Sequence, residues 1–529
     1  MRFLRSRRYG FLGQGQSVMN TAAVAAGFGM LLLGYDQGVM AGLIGSEGTP
    51  FSNTFKNPDA ATLGIMVAIY EIGCFVGAGF SFFWGENFSR RTCMIWGVLV
   101  MFVGAALQTA SMNMGQLIAG RVIIGLGNGL NFSTIPTWAS EVSGLEERGR
   151  VAAFNETTFP VPDETSADNA DLFLSLPVLP ESPRWLVSQG YDDEAKEVLD
   201  WITPRAKDKG TEHLEVVEQT YRSIIQAHDL EKEAEGKFSY AELFHGGAGQ
   251  NWRRMALCAG IMACQQLSGY TSLFCNSCGQ PLLTICLDSI NLLTYYISYV
   301  LQNSVGLDRH TSLLVGGING IEYLVAAIIP IWTIERFGRR KLLLLSACGQ
   351  TISMAILSAA LWFITAHEDS PNSRSLGILA VACFFLFNTF YAQGFLAIPF
   401  FYPAEITTLR TRSRGVSLSV MSNWIFTFLV VMITPTATSN IGWKTYIIFA
   451  VLNLSFIPVI YFFFPGTSGI SLEALDYLFD HPGMTRGVLN KEHRKRMLQL
   501  SSQEQTTLNE KEDGVWDSKA DVVAEVEHR

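Results

Sequence analysis

Glu335-Arg336-Phe337-Gly338-Arg339-Arg340 closes a long apolar run, and Glu86-Asn87-Phe88-Ser89-Arg90-Arg91 closes an earlier one in the same way. A second pair of signatures repeats alongside them. Glu141-Val142-Ser143-Gly144-Leu145-Glu146-Glu147-Arg148 returns as Glu405-Ile406-Thr407-Thr408-Leu409-Arg410-Thr411-Arg412, with the same spacing from glutamate to arginine. Charged signatures that recur in one order, each at the end of an apolar segment, mark a chain duplicated within itself. Repeated hydrophobic bundles of this kind are the sequence sign of a two-lobed membrane transporter. The fold expected is all-α and polytopic, built from two pseudo-symmetric six-helix lobes.

Composition agrees with a membrane protein. Of 529 residues, 49% are hydrophobic and only 16% charged, a profile unlike that of a soluble enzyme of several domains. The net charge of −9 comes largely from two polar stretches, 145–250 and 466–529, so it points to no partner, nucleic acid included. The nine cysteines lie mostly in apolar segments, where they act as small buried hydrophobes. Cys275-x-x-Cys278 lacks the second ligand pair that a structural zinc normally needs. No nucleotide-binding loop, metal constellation or nucleophile beside a base is present. Neither catalysis nor a cofactor is expected.

Apolar segments long enough to cross a bilayer fall near 20–44, 62–84, 92–111 and 115–139. Six more fall near 285–303, 311–333, 341–364, 376–402, 415–438 and 443–465. Another begins near 254 and is interrupted after Gly269. The short basic clusters share one side of the membrane if the N-terminus is cytoplasmic: Arg90/Arg91, Arg148/Arg150, Arg336–Lys341, Arg410–Arg414 and Lys491–Arg496. The expected order is a cytoplasmic N-terminus (1–19), an N-terminal transmembrane lobe (20–180), cytoplasmic linker helices (181–250), a C-terminal lobe (251–465) and a cytoplasmic tail (466–529). Within the linker, Glu194–Trp201 and Glu212–Glu235 have amphipathic helical spacing, read as solvated helices lying under the bundle.

Several short motifs occur in a telling order. Gly34-Tyr35-Asp36-Gln37-Gly38 lies in the first span and Gly120-Arg121 in the fourth. Pro180-Glu181-Ser182-Pro183-Arg184 opens the central loop, and Gln265-Gln266-Leu267-Ser268-Gly269 lies in the seventh helix. Glu335–Arg340, Pro403–Glu405, Asn423-Trp424 and Ser471-Leu472-Glu473 complete the set. Over about residues 20–480 the chain resembles the sugar porter family of the major facilitator superfamily. Tyr70-Glu71-Ile72-Gly73-Cys74-Phe75 and Asn131–Trp138 look most like its fungal sugar and glycerol/proton symporters. The resemblance implies twelve helices in two lobes, with substrate bound between them at the midplane.

Two intervals depart from that pattern. Glu141 to Pro180 is about two-thirds as long as its counterpart Glu405 to Pro465, which holds two helices. The first lobe is therefore expected to lack helix five and nearly all of helix six. Losing two adjacent helices preserves the sidedness of everything downstream. The other departure is Tyr270–Ser289, which separates Gly269 from Ile290-Asn291 and Tyr295-Tyr296, where the family runs on directly. In one continuous helix Gln266 and Asn291 would stand about 37 Å apart, beyond the roughly 30 Å hydrocarbon core. With Tyr270–Ser289 removed, both reach one site.

Asp36 sits in an apolar helix, where an ionisable group costs about 2.5–3.5 kcal/mol on insertion scales. The resemblance pairs it with Arg121 and implies proton coupling; a static ion pair is the plainer account. Glu71 and Glu322 also fall within spans, either lining a watery cavity or forming a second proton site. Gln265, Gln266, Asn291, Asn319 and Asn423 offer amides suited to sugar hydroxyls, against a plainer role as polar contacts between helices. Trp424 offers an apolar face to a sugar ring. Phe400 stands where the family often has Trp, keeping an aromatic wall and losing an indole donor. Glu86, Arg90, Arg91, Glu141, Arg148, Glu335, Arg339, Arg340, Glu405 and Arg412 resemble a cytoplasmic gate of exposed, individually weak ion pairs. Ser89 replaces a Gly usual at its turn, and Gly466 a Glu usual after the last helix.

The function expected is secondary transport of a monosaccharide or small polyol across the plasma membrane by alternating access, with proton symport. Its partners are then the sugar or polyol, the proton and the lipid bilayer, and both termini are cytoplasmic. A passive hexose facilitator, a non-transporting sugar sensor and an inactive product of a mis-spliced gene are the alternatives. Sensors usually carry a longer tail. A retained intron at Tyr270–Ser289 and coding sequence lost near 154–171 would account for both departures. Sequencing the transcript is expected to show both; an mRNA that reads through the two intervals as written overturns this account.

Overall fold

The computed structural model describes residues 60–142, 179–203, 250–269, 321–323, 325–367, 373–408 and 411–467. It also describes shorter pieces within 15–26, 213–225 and 240–244, and residues 318 and 479. Among these residues the chain is helical throughout, with no strand. The first lobe contributes α1 (Ala60–Trp84), α2 (Arg90–Thr109) and α3 (Met114–Val142). The linker contributes α4 (Pro183–Ser188), α5 (Asp192–Ile202) and a 3-10 turn, Tyr240–Phe244. In the second lobe come α6 (Asn251–Leu267), α7 (Pro330–Phe337), α8 (Arg339–Ala366) and α9 (Ser373–Tyr391). A π-helical turn, Ala392–Leu396, leads into α10 (Ile398–Ile406), and α11 (Arg412–Ile441) and α12 (Lys444–Phe463) follow. Five of the described helices are long and apolar enough to cross a membrane.

Glycine sets the spacing of the first lobe. A β-carbon on Gly77 would lie 2.2 Å from the Leu126 carbonyl oxygen, and one on Gly129 would lie 2.0 Å from that of Cys74. Helix backbones approach this closely only where side chains are absent. In this way α3 lies against both α1 and α2, and carries its other side chains to the seam with the second lobe.

The two matching turns solve one problem differently. Gly338 precedes α8 with φ +81°, a conformation that favours glycine. Ser89 precedes α2 with φ −64° and needs no such freedom; its hydroxyl accepts the Thr92 N–H at 3.1 Å and caps the helix. The departure from the expected glycine is therefore a change of cap.

Two hydrophobic cores result. One belongs to the second lobe and includes Phe384, Phe387, Phe395 and Tyr402. The other joins Tyr70, Phe132 and Trp138 of the first lobe to Val198, Leu199, Trp201 and Tyr221 of the linker. The linker helices are thus not solvated in the manner expected. Their apolar face completes the core of the first lobe, and Val18, Ala22 and Ala26 join it. The interval 143–178, the segment Tyr270–Ser289 and most of the first span lie outside the described residues.

Replacing Gly129 by Leu should destabilise the protein by about 3 kcal/mol through overpacking, read as a lower unfolding temperature in detergent. Gly260→Ala, where a β-carbon meets nothing within 4 Å, should leave that temperature unchanged or raise it.

Candidate functional site

The seam between the lobes is aromatic on one side and amide-rich on the other. Phe132 of α3 reaches across to Phe400, 5.2 Å between ring centroids, and to Trp424, at 5.3 Å. Tyr70 of α1 meets Trp424 edge-on at 6.2 Å. Next to Trp424 on α11, the Asn423 carboxamide oxygen accepts a hydrogen bond from Gln266 Nε2 at 2.5 Å. The structure therefore brings Gln266, Asn423, Trp424 and Phe400 to one seam.

Gln265 has a structural duty. The π-turn frees backbone carbonyls, and Gln265 Nε2 donates to that of Phe395 at 2.7 Å. Its Oε1 is buried with no hydrogen-bond partner, and so is Trp424 Nε1. One unmet acceptor and one unmet donor, on packed helices α6 and α11, suit a ligand whose hydroxyls do both. Asn291 and Asn319 lie outside the described residues.

Arg121, buried on α3, stands 4.7 Å from the centroid of the Tyr70 ring. Its charge acts on Glu71 of α1. Asp36 lies outside the described residues. Glu322 accepts a hydrogen bond from Thr389 within the second lobe, away from this cluster.

At the charged helix ends, the arginines and glutamates pair in a pattern the motifs did not give. Arg90 Nε meets Glu141 Oε2 at 3.4 Å, and Arg339 meets Glu405 at 2.9 Å. These equivalent pairs tie helices within each lobe. They are also largely buried, with Arg90 and Arg339 side chains 10% and 8% exposed, so the reading of exposed weak pairs is corrected. Burial follows because helix ends close over them: Arg90 also donates to the Gly85 carbonyl at 2.7 Å, and Thr467 donates to Glu405 at 2.6 Å. Arg340 donates to the Tyr461 carbonyl, and Arg412 is buried. Arg148 and the Glu335 side chain lie outside the described residues.

A charged link between the lobes comes from a residue that sequence reasoning used only for sidedness. Arg414 of α11 meets Glu86 at 2.5 Å. Tyr240 reinforces it, donating to the Phe83 carbonyl and lying under the Arg414 guanidinium at 5.7 Å. Only the basic cluster Arg410–Arg414 signalled this in the sequence.

The central-loop motif is a clamp on the first lobe. Trp138 Nε1 donates to the Pro180 carbonyl at 2.9 Å, Trp185 Nε1 to that of Glu86 at 3.2 Å, and Arg91 to that of Leu179. Glu181 accepts the backbone N–H groups of Arg91 and Ser182. Burial pushes its carboxyl above the usual carboxylate range, outweighing the hydrogen bonds from Ser89, Ser182 and Arg91. A raised folded pKa favours the folded state in acid, and that advantage is lost as pH rises through it.

The family model described as "Sugar (and other) transporter" matches residues 21–160, 170–278 and 282–479. The chain belongs to this sugar transporter family. The sugar transporter STL1 of Saccharomyces cerevisiae is 32% identical over 511 positions, covering 90% of this chain and 83% of that one. The high-affinity glucose transporter of Kluyveromyces lactis is 26% identical, covering 85% and 83%. Among solved structures, the proton:xylose symporter XylE bound to 6-bromo-6-deoxy-D-glucose superposes with a TM-score of 0.69 at 20% identity. That likeness covers 88% of this chain and all of the other. The sugar transporter is therefore an integral membrane protein of the major facilitator fold, and not an enzyme.

Arg414→Ala should weaken the contact between the lobes at Glu86 by about 1 kcal/mol, the scale of a partly exposed ion pair. Labelling of a cysteine placed at Ser417 should accelerate, and the exchange of charges in E86R/R414E should slow it again.

Proposed function

We propose that the protein carries a monosaccharide or small polyol across the plasma membrane by alternating access, driven by protons. The observation that carries this reading is the lobe seam, where Gln265 Oε1 and Trp424 Nε1 are buried without partners beside the Gln266–Asn423 pair. Gln265, Gln266, Asn291, Asn319, Phe400, Asn423 and Trp424 form the sugar site. Asp36 and Arg121 form the proton site, and a buried cation one ring away from Trp424 supports coupling of the two. The Arg90–Glu141, Arg339–Glu405 and Arg414–Glu86 pairs hold the cytoplasmic side closed, and a network made in one state and broken in the other biases the equilibrium between them.

A second reading concerns the chain itself, which lacks helix five and most of helix six and carries Tyr270–Ser289 as an insertion. Trp138 near the end of α3 bonds to Pro180, so the described residues on either side of the interval 143–178 lie together. Two full crossings need about 40 residues, more than it holds. The family match breaks within both intervals, at 160–170 and 278–282. The alignment to the yeast relative runs over 511 positions while using only 90% of this chain, so some of the relative's residues face gaps here.

Uptake of radiolabelled D-glucose, D-xylose and glycerol should be measured in yeast lacking its own carriers, using the chain its transcript encodes. One of the three should be concentrated, with alkalinisation of the medium on its addition. Asp36→Asn should abolish proton entry and concentrative uptake while sparing binding, because the amide carries no proton. Undiminished concentration by that variant moves the coupling role elsewhere, and uptake without alkalinisation makes the protein a facilitator.

A further inference from the structure

We propose that Tyr70 is a positioning residue, linking the Arg121 charge to the indole that faces the sugar; this rests on the symport reading above. Tyr70 is fully buried on α1, and three groups of different kinds meet it. The Arg121 guanidinium stands over its ring at 4.7 Å. Asn128 donates a hydrogen bond to its hydroxyl. Its ring meets Trp424 at 6.2 Å and 89°. The first two partners come from α3 in the same lobe, the third from α11 in the other. One ring therefore touches both the buried cation and the tryptophan that flanks Asn423.

The next residue along α1 supplies a charge that can switch. Glu71 is buried, one of its carboxyl oxygens has no hydrogen-bond partner, and Arg121 acts on it electrostatically. Helix α1 turns Gly73 and Gly77 toward α3 and Gly79 toward Met421 of α11. At 3.6 residues per turn, Glu71 stands about 160° from Gly73 and about 80° from Gly79, away from the glycine contact with α3. Among the described residues, the charge that acts on Glu71 is that of Arg121 on α3.

An ionised carboxylate draws the guanidinium toward itself. Once protonated it pulls less, and the Tyr70 ring gains relative weight as a cation–π partner. Edge-to-face pairs depend on geometry, so a shift of the guanidinium over Tyr70 alters how its edge seats Trp424. Among the described residues Trp424 Nε1 has no hydrogen-bond partner, so ring contacts alone set how the indole seats. Protonation on one side of the ring is thereby felt as a change in sugar affinity on the other.

The test compares the full chain, as its transcript encodes it, with Tyr70→Phe and Tyr70→Leu in proteoliposomes. D-glucose, D-xylose and glycerol serve as probes, with binding at acidic and neutral pH and simultaneous records of sugar and proton entry. The parent protein should bind one probe more tightly in acid and carry protons with it. Tyr70→Phe keeps the ring and should stay coupled. Tyr70→Leu should bind the same probe within about tenfold of the parent, the loss expected for one aromatic pair. It should lose the pH dependence of binding and only equilibrate the sugar. Should Tyr70→Leu fail to fold, Tyr70→Met removes the π face at similar bulk and reads the same link. Retained coupling in a folded variant without the ring overturns the inference. Equal loss of coupling in Tyr70→Phe also overturns it, as does loss of all probe binding in a folded Tyr70→Leu. A parent protein that moves sugar without protons overturns the symport reading itself, and this inference with it, whatever the variants do.

Discussion

A polar group taken out of water inside a bilayer has to be met by another part of the protein. Much of this structure follows from meeting that demand at helix ends and helix crossings. Arg254, almost fully buried, donates to the Ile406 carbonyl at 2.8 Å and lies over the Phe479 ring at 4.2 Å. Asn453 donates to the carbonyl of Ser268 at 2.7 Å and so fixes the end of α6 against α12. The Arg90 and Arg339 pairs do the same where their helices end. Against this background, the unmet Gln265 Oε1 and Trp424 Nε1 acquire a meaning that unmet atoms on a wet surface would not have.

The sequence carried the duplication openly, because each half must set basic residues on the same side of the membrane. Charge at span ends is a local property, so Arg90, Glu141, Arg339 and Glu405 could be found by eye. Their partners could not. Arg90 and Glu86 belong to one motif yet bond to different elements, since a helix cap at Ser89 turns them apart. The Arg414–Glu86 link joins residues far apart in the chain, and nothing in the spacing of either announces the other. Gln265 and Gln266 illustrate the same limit at the site. They are neighbours in one motif, but a helix points them about 100° apart, and only the structure shows that one serves the π-turn and the other Asn423.

The linker was misread for a physical reason of its own. Amphipathic spacing reports that a helix has an apolar face and is silent on what covers it. Val198, Leu199 and Trp201 could have rested on lipid headgroups or on a partner; they rest on the first lobe. The second lobe also borrows from outside its membrane helices, since Phe479 of the tail joins its core.

That sharing of a core has a consequence for how the protein is made. The first lobe's core includes Trp201 and Tyr221, which leave the ribosome only after α1, α2 and α3 have been inserted. Inserted helices must therefore wait with that end of their core unfilled until more than half of the linker has been translated. Domains that form as units during synthesis close their cores early, whereas this lobe depends on soluble chain still to come. The membrane-embedded part and the linker mature as one object, and synthesis halted ahead of Trp201 leaves behind a lobe whose core stands open at one end.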